Sequence, residues 1–380
     1  MNIAAELAAS QPAKNEAKTP SLTGGIQVTL TYQRDHITKV DVQNSRPFAL
    51  TRLFVGKPTQ RVLGMIPALF YICGMGQLIA ALRAIESAAG ITEQLHTRQA
   101  RDALIYAESL REQVFSWVSH WAPQHKAKLS PVVDWFKQCR KQLGWCLVVG
   151  ATAPSNEDNQ ATMQALLTQL HAVMQSFVTT PGGVAGELLD EQINQQLERL
   201  STYELAAGAA QLALASTDEL NAVLAELTSD TTPLFCQYPV VRHTPRETGS
   251  WARQQGSVTL TGLQGRICAL YRELEQATTG FADIVGAANT AKVEPVMPKG
   301  CAIVETARGS LLHKVELNAD NSVKSYQIIA PTEWNFHPEG SLKMMLEGAK
   351  LPWDEVTPMA EMLISLLDPC VPWQLELNHA

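Results

Sequence analysis

The sequence has no continuous apolar run approaching the roughly 18 residues that a membrane helix needs, so the 380-residue chain is not expected to contact a membrane. Basic residues are not in excess: 30 Lys and Arg against 37 Asp and Glu give a formal net charge of −7. Nucleic acid and anionic membrane both call for a basic face, and neither is expected as a partner. The amino end, Met1-Asn2-Ile3-Ala4-Ala5-Glu6-Leu7, has no charged leader ahead of an apolar core and no twin arginine. A cytoplasmic location is the expectation. Seven cysteines are an odd number in a chain too long to depend on disulfide staples, so reduced thiols are expected. A paired C-x-x-C clamp is also missing: Asp368-Pro369-Cys370 has Trp373 where the second thiol would stand. A thiolate pair on a short turn can hold a soft or borderline metal, whereas a single thiol must share one with a distant ligand.

What is present is enough apolar material for a substantial core, with 46% hydrophobic and 18% charged residues. Residues 1 to about 20, with Ala, Lys, Ser, Gln and two prolines, read as a mobile tail, and 21–380 as one domain with a variable helical middle near 150–240. Gly25 to Tyr32 alternates with the two-residue period of a strand, and Arg34-Asp35 can turn it into a second strand from His36 to Val42. From Thr59 to Leu143 the apolar spacing is helical, with Pro123 and Pro131 expected to separate helices, and Leu104, Ala107, Leu110 and Val114 on one face. Leu311–Leu317 and Val323–Ala330 flank Asn318-Ala319-Asp320-Asn321-Ser322, a hairpin signal. The fold class is helix-dominated α+β, with small sheets from both ends of the sequence and no fixed-period repeat.

The best distant partner for Cys370 is Cys73, in Phe70-Tyr71-Ile72-Cys73-Gly74-Met75-Gly76-Gln77, ahead of an apolar helical stretch. A third segment, Glu305-Thr306-Ala307-Arg308-Gly309, reads as a turn entering a strand. Together these resemble the large, metal-carrying subunit of nickel-iron hydrogenases, with its early R-x-C-G-x-C-x-x-x-H, late E-A-P-R-G and terminal D-P-C-x-x-C-x-x-H. Tyr326 to Asn335 is similar to the family's stretch after E-A-P-R-G, and Glu247-Thr248-Gly249-Ser250-Trp251-Ala252-Arg253 to its E-x-G-x-x-A-R segment.

Departures from that pattern are as telling. On the family's motifs Cys73 falls on the metal-bridging cysteine of the first pair and Phe70 on the nickel-only one. Cys370 falls on the nickel-terminal cysteine and Trp373 on the bridging one. Gln77 and Glu376 replace the two motif histidines, Thr23 the glutamate associated with proton transfer, and Ala307 the proline of E-A-P-R-G. This set of losses resembles the HupK-type accessory proteins of hydrogenase maturation. The resemblance implies a large-subunit-like fold, no hydrogenase activity and a role as scaffold. That scaffold would hold a transient Fe(CN)2(CO) fragment before its transfer to the true large subunit, with no stable nickel. Implied ligands are Cys73 and Cys370, with Arg308, Glu305, Gln77 and Trp373 around the fragment. Implied partners are other maturation accessory proteins and the large subunit itself. Since the sequence ends at His379-Ala380, no carboxy-terminal extension is expected to be cleaved.

Plainer readings stand beside these. Free cysteine is among the most buried residue types, so Cys73 and Cys370 read without their motifs are small core residues. Cys139, Cys146, Cys236, Cys268 and Cys301 match no ligand position and keep that reading. Arg308 can be a strand-end arginine paired with Glu305, Trp373 a filler of the space nickel would take or ordinary core, and Glu376 a solvated carboxylate. His313, His337 and His379 are assigned no role. The alternative function is a metal-free, large-subunit-like interaction protein or chaperone in the maturation complex.

Overall fold

A computed structural model describes residues 24–46, 48–70, 72–175, 191–212, 214, 217–227, 232–254, 262–286 and 297–379. The reading of residues 1–20 and the assignment of Thr23 fall outside the described residues. Strand β1 (Ile26–Gln33) turns at Arg34-Asp35 into β2 (His36–Asn44), and a 3-10 turn (Phe48–Phe54) follows. Both turn residues have positive φ, 53° and 84°, the backbone that fits the twist of a two-residue hairpin. Helices α1 (Thr59–Leu69), α2 (Gly74–Ala89), α3 (Leu95–His120), α4 (Leu129–Leu143) and α5 (Asn156–Gln175) come next. After them come α6 (Glu191–Leu200), β3 (Ala210–Gln211), α7 (Thr217–Glu226), α8 (Thr232–Gln237), β4 (Arg246–Glu247), α9 (Ser250–Arg253), α10 (Gly262–Glu275) and α11 (Ala277–Gly286). The chain closes with β5 (Cys301–Thr306), β6 (Gly309–Leu317), β7 (Val323–Ile329), α12 (Pro331–Asn335), α13 (Ser341–Leu346), α14 (Trp353–Leu367) and β8 (Trp373–His379).

The helical face predicted on α3 is the one it buries: Leu104, Ala107, Leu110 and Val114 all lie in the main core. Pro123 does break the helical run, opening a 3-10 turn (Pro123–Lys128), but Pro131 does not. It is the third residue of α4, where a missing N–H costs nothing because the first-turn donors have no intrahelical acceptor.

Strands β5, β6 and β7 form an antiparallel sheet in that order. Cys301, Leu312 and Ile329 meet Val223 and Leu224 of α7 on one face, while Ala302, Val315 and Tyr326 meet Ala81 and Ile85 of α2 on the other. Covered on both sides, β6 is buried along most of its length rather than on alternate residues. Its turn into β7 uses Asp320, whose carboxylate accepts the Ser322 N–H at 2.9 Å, and Asn321 at φ 61°. The other three-stranded sheet has the order β2-β1-β8. There β8 lies parallel to β1 with Ile26 opposite Trp373 and Val28 opposite Leu375, so the two ends of the described chain share one sheet. Sequence reading did not give β8.

Candidate metal site

Cys73 stands immediately before α2, whose first turn has no cap from its own side chains. Glu108 of α3 supplies one, accepting the N–H groups of Met75 and Gly76, each at 2.8 Å. Burial lifts that carboxyl to about 7 against the pull of the two N–H groups. A side chain at Gly76 would sit 3.1 Å from Thr306 Cγ2, so glycine lets α2 lie close against the β5–β6 turn.

Cys370 is delivered from the other side. Helix α14 ends at Asp368, which adopts a left-handed conformation at φ 46°, a backbone that Asp tolerates better than most residues. Arg308, in the two-residue turn between β5 and β6, fastens this bend: its Nε donates to the Asp368 carbonyl at 3.1 Å and lies 3.2 Å from Asp368 Oδ2.

Cys73 and Cys370, from opposite ends of the sequence, line one cavity of about 70 Å³ together with Arg46, Phe70, Cys236 and Glu333. A water takes up roughly 10–15 Å³ on that measure, so the cavity suits a small polyatomic group. The two sulfurs share a hydrogen bond. It raises the Cys73 thiol, helped by burial, and holds Cys370 well below the ordinary thiol range against burial, with Arg46 and Arg308 adding to the effect. Of the two, Cys370 is the sulfur biased toward the thiolate. The Thr332 hydroxyl lies 3.1 Å from Cys370 Sγ and accepts the Cys370 N–H at 3.4 Å.

Gln77, in the place of a motif histidine, is fully buried and links Cys73 to a chain of side chains. Its amide nitrogen makes a long 3.9 Å contact to Cys73 Sγ, which turns its oxygen toward His313 Nε2 at 2.9 Å. His313 Nε2 is thus the donor, and Nδ1 accepts from the Tyr326 hydroxyl at 2.8 Å. Burial pushes His313 down to about 3, so it is neutral. The histidine assigned no role is the strut that aims Gln77 at the sulfur.

The family-like segments converge behind the cavity. Arg253 donates to the carbonyls of Thr306 and Ala307 at 3.2 and 3.1 Å, clamping the turn that carries Arg308. Gly249 and Gly309 lie face to face at φ 106° and 124°; a Cβ on Gly309 would lie 2.3 Å from Thr248 Oγ1. Asn335 ties the group together, accepting the Thr248 N–H at 2.9 Å and donating to the Arg308 carbonyl at 3.3 Å.

Two expected neighbours stand elsewhere. Glu305 is exposed on β5 and pairs with Arg253 at 3.2 Å and with Ser310, so it neither pairs with Arg308 nor lines the cavity. Trp373 opens β8 opposite Ile26 and packs, half-buried, against the main core; the cavity wall stops at Pro372. Phe70, on the nickel-only position, does line it. Glu376 is exposed, His379 stacks near Tyr32 and Trp353, and His337 accepts the Glu339 N–H at 3.0 Å. Cys236 is buried as expected, but at the cavity wall. Among the described residues no three His, Cys, Asp or Glu side chains converge as a metal-ligand set. Sequence reasoning missed Arg46, which matches none of the motifs quoted, and Thr332 and Glu333, which lie in a motif-like stretch but were given no task.

The fold and the convergence of these motifs define the architecture of a nickel-iron hydrogenase large subunit. Residues 251–370 match the family described as nickel-dependent hydrogenase. The structure aligns with the Ni-Fe-Se hydrogenase of Desulfomicrobium baculatum at TM-score 0.61 and 12% identity, covering 90% of this chain and 95% of that one. Over its length the chain is 30% identical to hydrogenase expression/formation protein HupK of Azotobacter vinelandii, covering 94% of this chain and 100% of the relative. It is 28% identical to HupV, also an expression/formation protein, of Azotobacter chroococcum mcd 1, covering 94% and 100%. The chain belongs to the HupK family of hydrogenase expression/formation proteins.

Proposed function

We propose that this protein is a non-catalytic scaffold in the maturation of nickel-iron hydrogenase. It holds an Fe(CN)2(CO) fragment between Cys73 and Cys370 and passes it to the hydrogenase large subunit, working with other accessory proteins in the cytoplasm. The observation that carries this reading is the meeting of the Cys73 and Cys370 sulfurs in a small cavity with guanidinium groups beside them. Sulfur is a soft donor suited to low-spin iron. Two thiolates can grip one metal, while a nickel-iron pair would be under-coordinated. Incomplete ligation also permits hand-over, because a partner offering further sulfur donors can take the fragment by ligand exchange. No helix among the described residues is long and apolar enough to cross a membrane, so the reading needs no membrane partner.

The protein's own groups set up the grip. Hydrogen bonds and the nearby arginines favour the thiolate form of Cys370, Gln77 orients Cys73, and Arg308 fixes the bend that presents Cys370. The test is infrared absorption and iron analysis of anaerobically purified protein from cells with an intact maturation system. Cyanide and carbonyl stretching bands accompanying about one iron per chain are expected, without hydrogen-dependent dye reduction. Iron-free protein lacking those bands, or hydrogen uptake by the purified chain, would overturn the reading.

A further inference from the structure

We infer that Arg46, rather than Arg308, is the guanidinium that receives the anionic ligands of the iron fragment. The inference rests on the proposed scaffold function. Both arginines are close enough to the two sulfurs to interact with them electrostatically, but their donors are engaged differently. Arg308 is surrounded: Nε faces the Asp368 carbonyl and Oδ2, while Nη1 and Nη2 lie 3.3 and 3.4 Å from Glu112 Oε2. It lines a neighbouring crevice with Asp368 and Asn335, not the thiol cavity. Its place is structural, holding the bend before Cys370.

Arg46 lines the cavity itself. Glu333 is the one described side chain that accepts from its guanidinium, at Nη1 over 2.6 Å, which leaves the other N–H groups for a ligand. The arginine is also a built feature rather than a loose surface side chain. Its backbone N–H donates to Asn44 Oδ1 at 3.0 Å, and Gln237 Nε2 holds the Asn44 carbonyl at 3.0 Å. Glu333 is fixed in turn by the Ala330 N–H at 3.0 Å on its other oxygen. A buried anion is costly unless hydrogen-bonded, and a planar guanidinium addresses several acceptors where an ammonium acts as a point charge. Metal-bound cyanide is an anionic acceptor of that kind.

The experiment compares wild type with Arg46→Lys, Arg46→Gln and Glu333→Gln, each checked for native circular dichroism, by iron content after gel filtration and by infrared bands. Arg46→Gln is expected to lower retained iron roughly tenfold, the scale of a lost charge-assisted hydrogen bond. Arg46→Lys keeps part of the iron but moves the cyanide bands, because lysine replaces the fork with a single contact. Glu333→Gln, which removes the charge that holds Arg46 but leaves the guanidinium in the cavity, is expected to lose less iron than Arg46→Gln and to move the cyanide bands less than Arg46→Lys. Unmoved bands and full iron in the folded Arg46→Lys protein overturn the inference alone. Equal losses in Arg46→Gln and Glu333→Gln reduce Arg46 to a structural partner and also overturn it. Absence of cyanide bands from the wild type removes the scaffold reading, and this inference with it.

Discussion

Cys73 and Cys370 differ in their surroundings, and the difference decides how neighbouring substitutions act. Both sulfurs are expected to be indispensable for iron. Cys73→Ser and Cys370→Ser should each bring bound iron to background while leaving the fold intact, and Cys236→Ser should keep more than half of it. Metal analysis by mass spectrometry checks this, and an iron-free Cys236→Ser protein would enlarge the ligand set. The Gln77–His313–Tyr326 chain makes a separate, metal-independent prediction. His313 resists protonation in the fold down to about pH 3 but takes a proton near 6.5 when unfolded. Between those values the unfolded state binds the extra proton, so folding stability declines as pH falls below 6.5, by up to about 1.4 kcal/mol per unit for this group. Denaturation of wild type and His313→Leu from pH 7 to 5 should show a shallower slope in the variant, which is less stable at pH 7 by about 1–3 kcal/mol because Gln77 and Tyr326 lose a buried partner. Equal slopes would mean that His313 is not neutral. At this scale the sequence disclosed the two cysteines because each lies in a recognisable motif. Arg46 was illegible for the opposite reason: it follows Asn44 at a strand end, and only tertiary structure brings it to the sulfurs.

Among the elements, strands with strong local signals were legible and those defined by distant pairing were not. Alternation and a positive-φ turn were enough for β1 and β2, and Asp320-Asn321 for the β6–β7 hairpin. Strand β8 also alternates, but its pairing partner β1 is more than three hundred residues earlier, and no local feature announces a parallel neighbour. Pro131 misled because a proline inside a first helical turn looks, in sequence, like one that ends a helix. The β5–β6 turn that carries Arg308 rests on Gly309. Gly309→Ala should force Thr248 away and strain the left-handed backbone, a cost of about 1–3 kcal/mol, visible as a lower midpoint in thermal denaturation; an unchanged midpoint would show that the contact is slack. The junction of α2 and α3 depends on a buried arginine. Arg101 makes a two-pronged pair with Glu86 at 2.6 and 2.8 Å and bonds Glu93 at 2.8 Å. Removing one side of such a network strands the other, so Arg101→Leu is expected to destabilise by about 3–5 kcal/mol in urea titration. A loss under 1 kcal/mol would mean that the carboxylates find water.

Over the whole molecule, the large-subunit architecture is retained while the site has contracted. Five chain segments far apart in sequence, around residues 46, 73, 236, 330 and 370, meet at a cavity of about 70 Å³, and the family-like segments behind it hold the Arg308 turn in place. A protein built only to imitate a large subunit at an interface would need the outer shape but not two cysteines brought together in one cavity with arginines beside them. The central claim is that these two sulfurs share one iron. X-ray absorption at the iron edge of anaerobically purified protein tests it most directly. The account predicts two sulfur neighbours at about 2.3 Å, by analogy with other metal–thiolate bonds, together with short bonds to carbon, and loss of the iron in Cys73→Ser and Cys370→Ser. An iron signal with no sulfur shell, or one unaltered by either substitution, would contradict it.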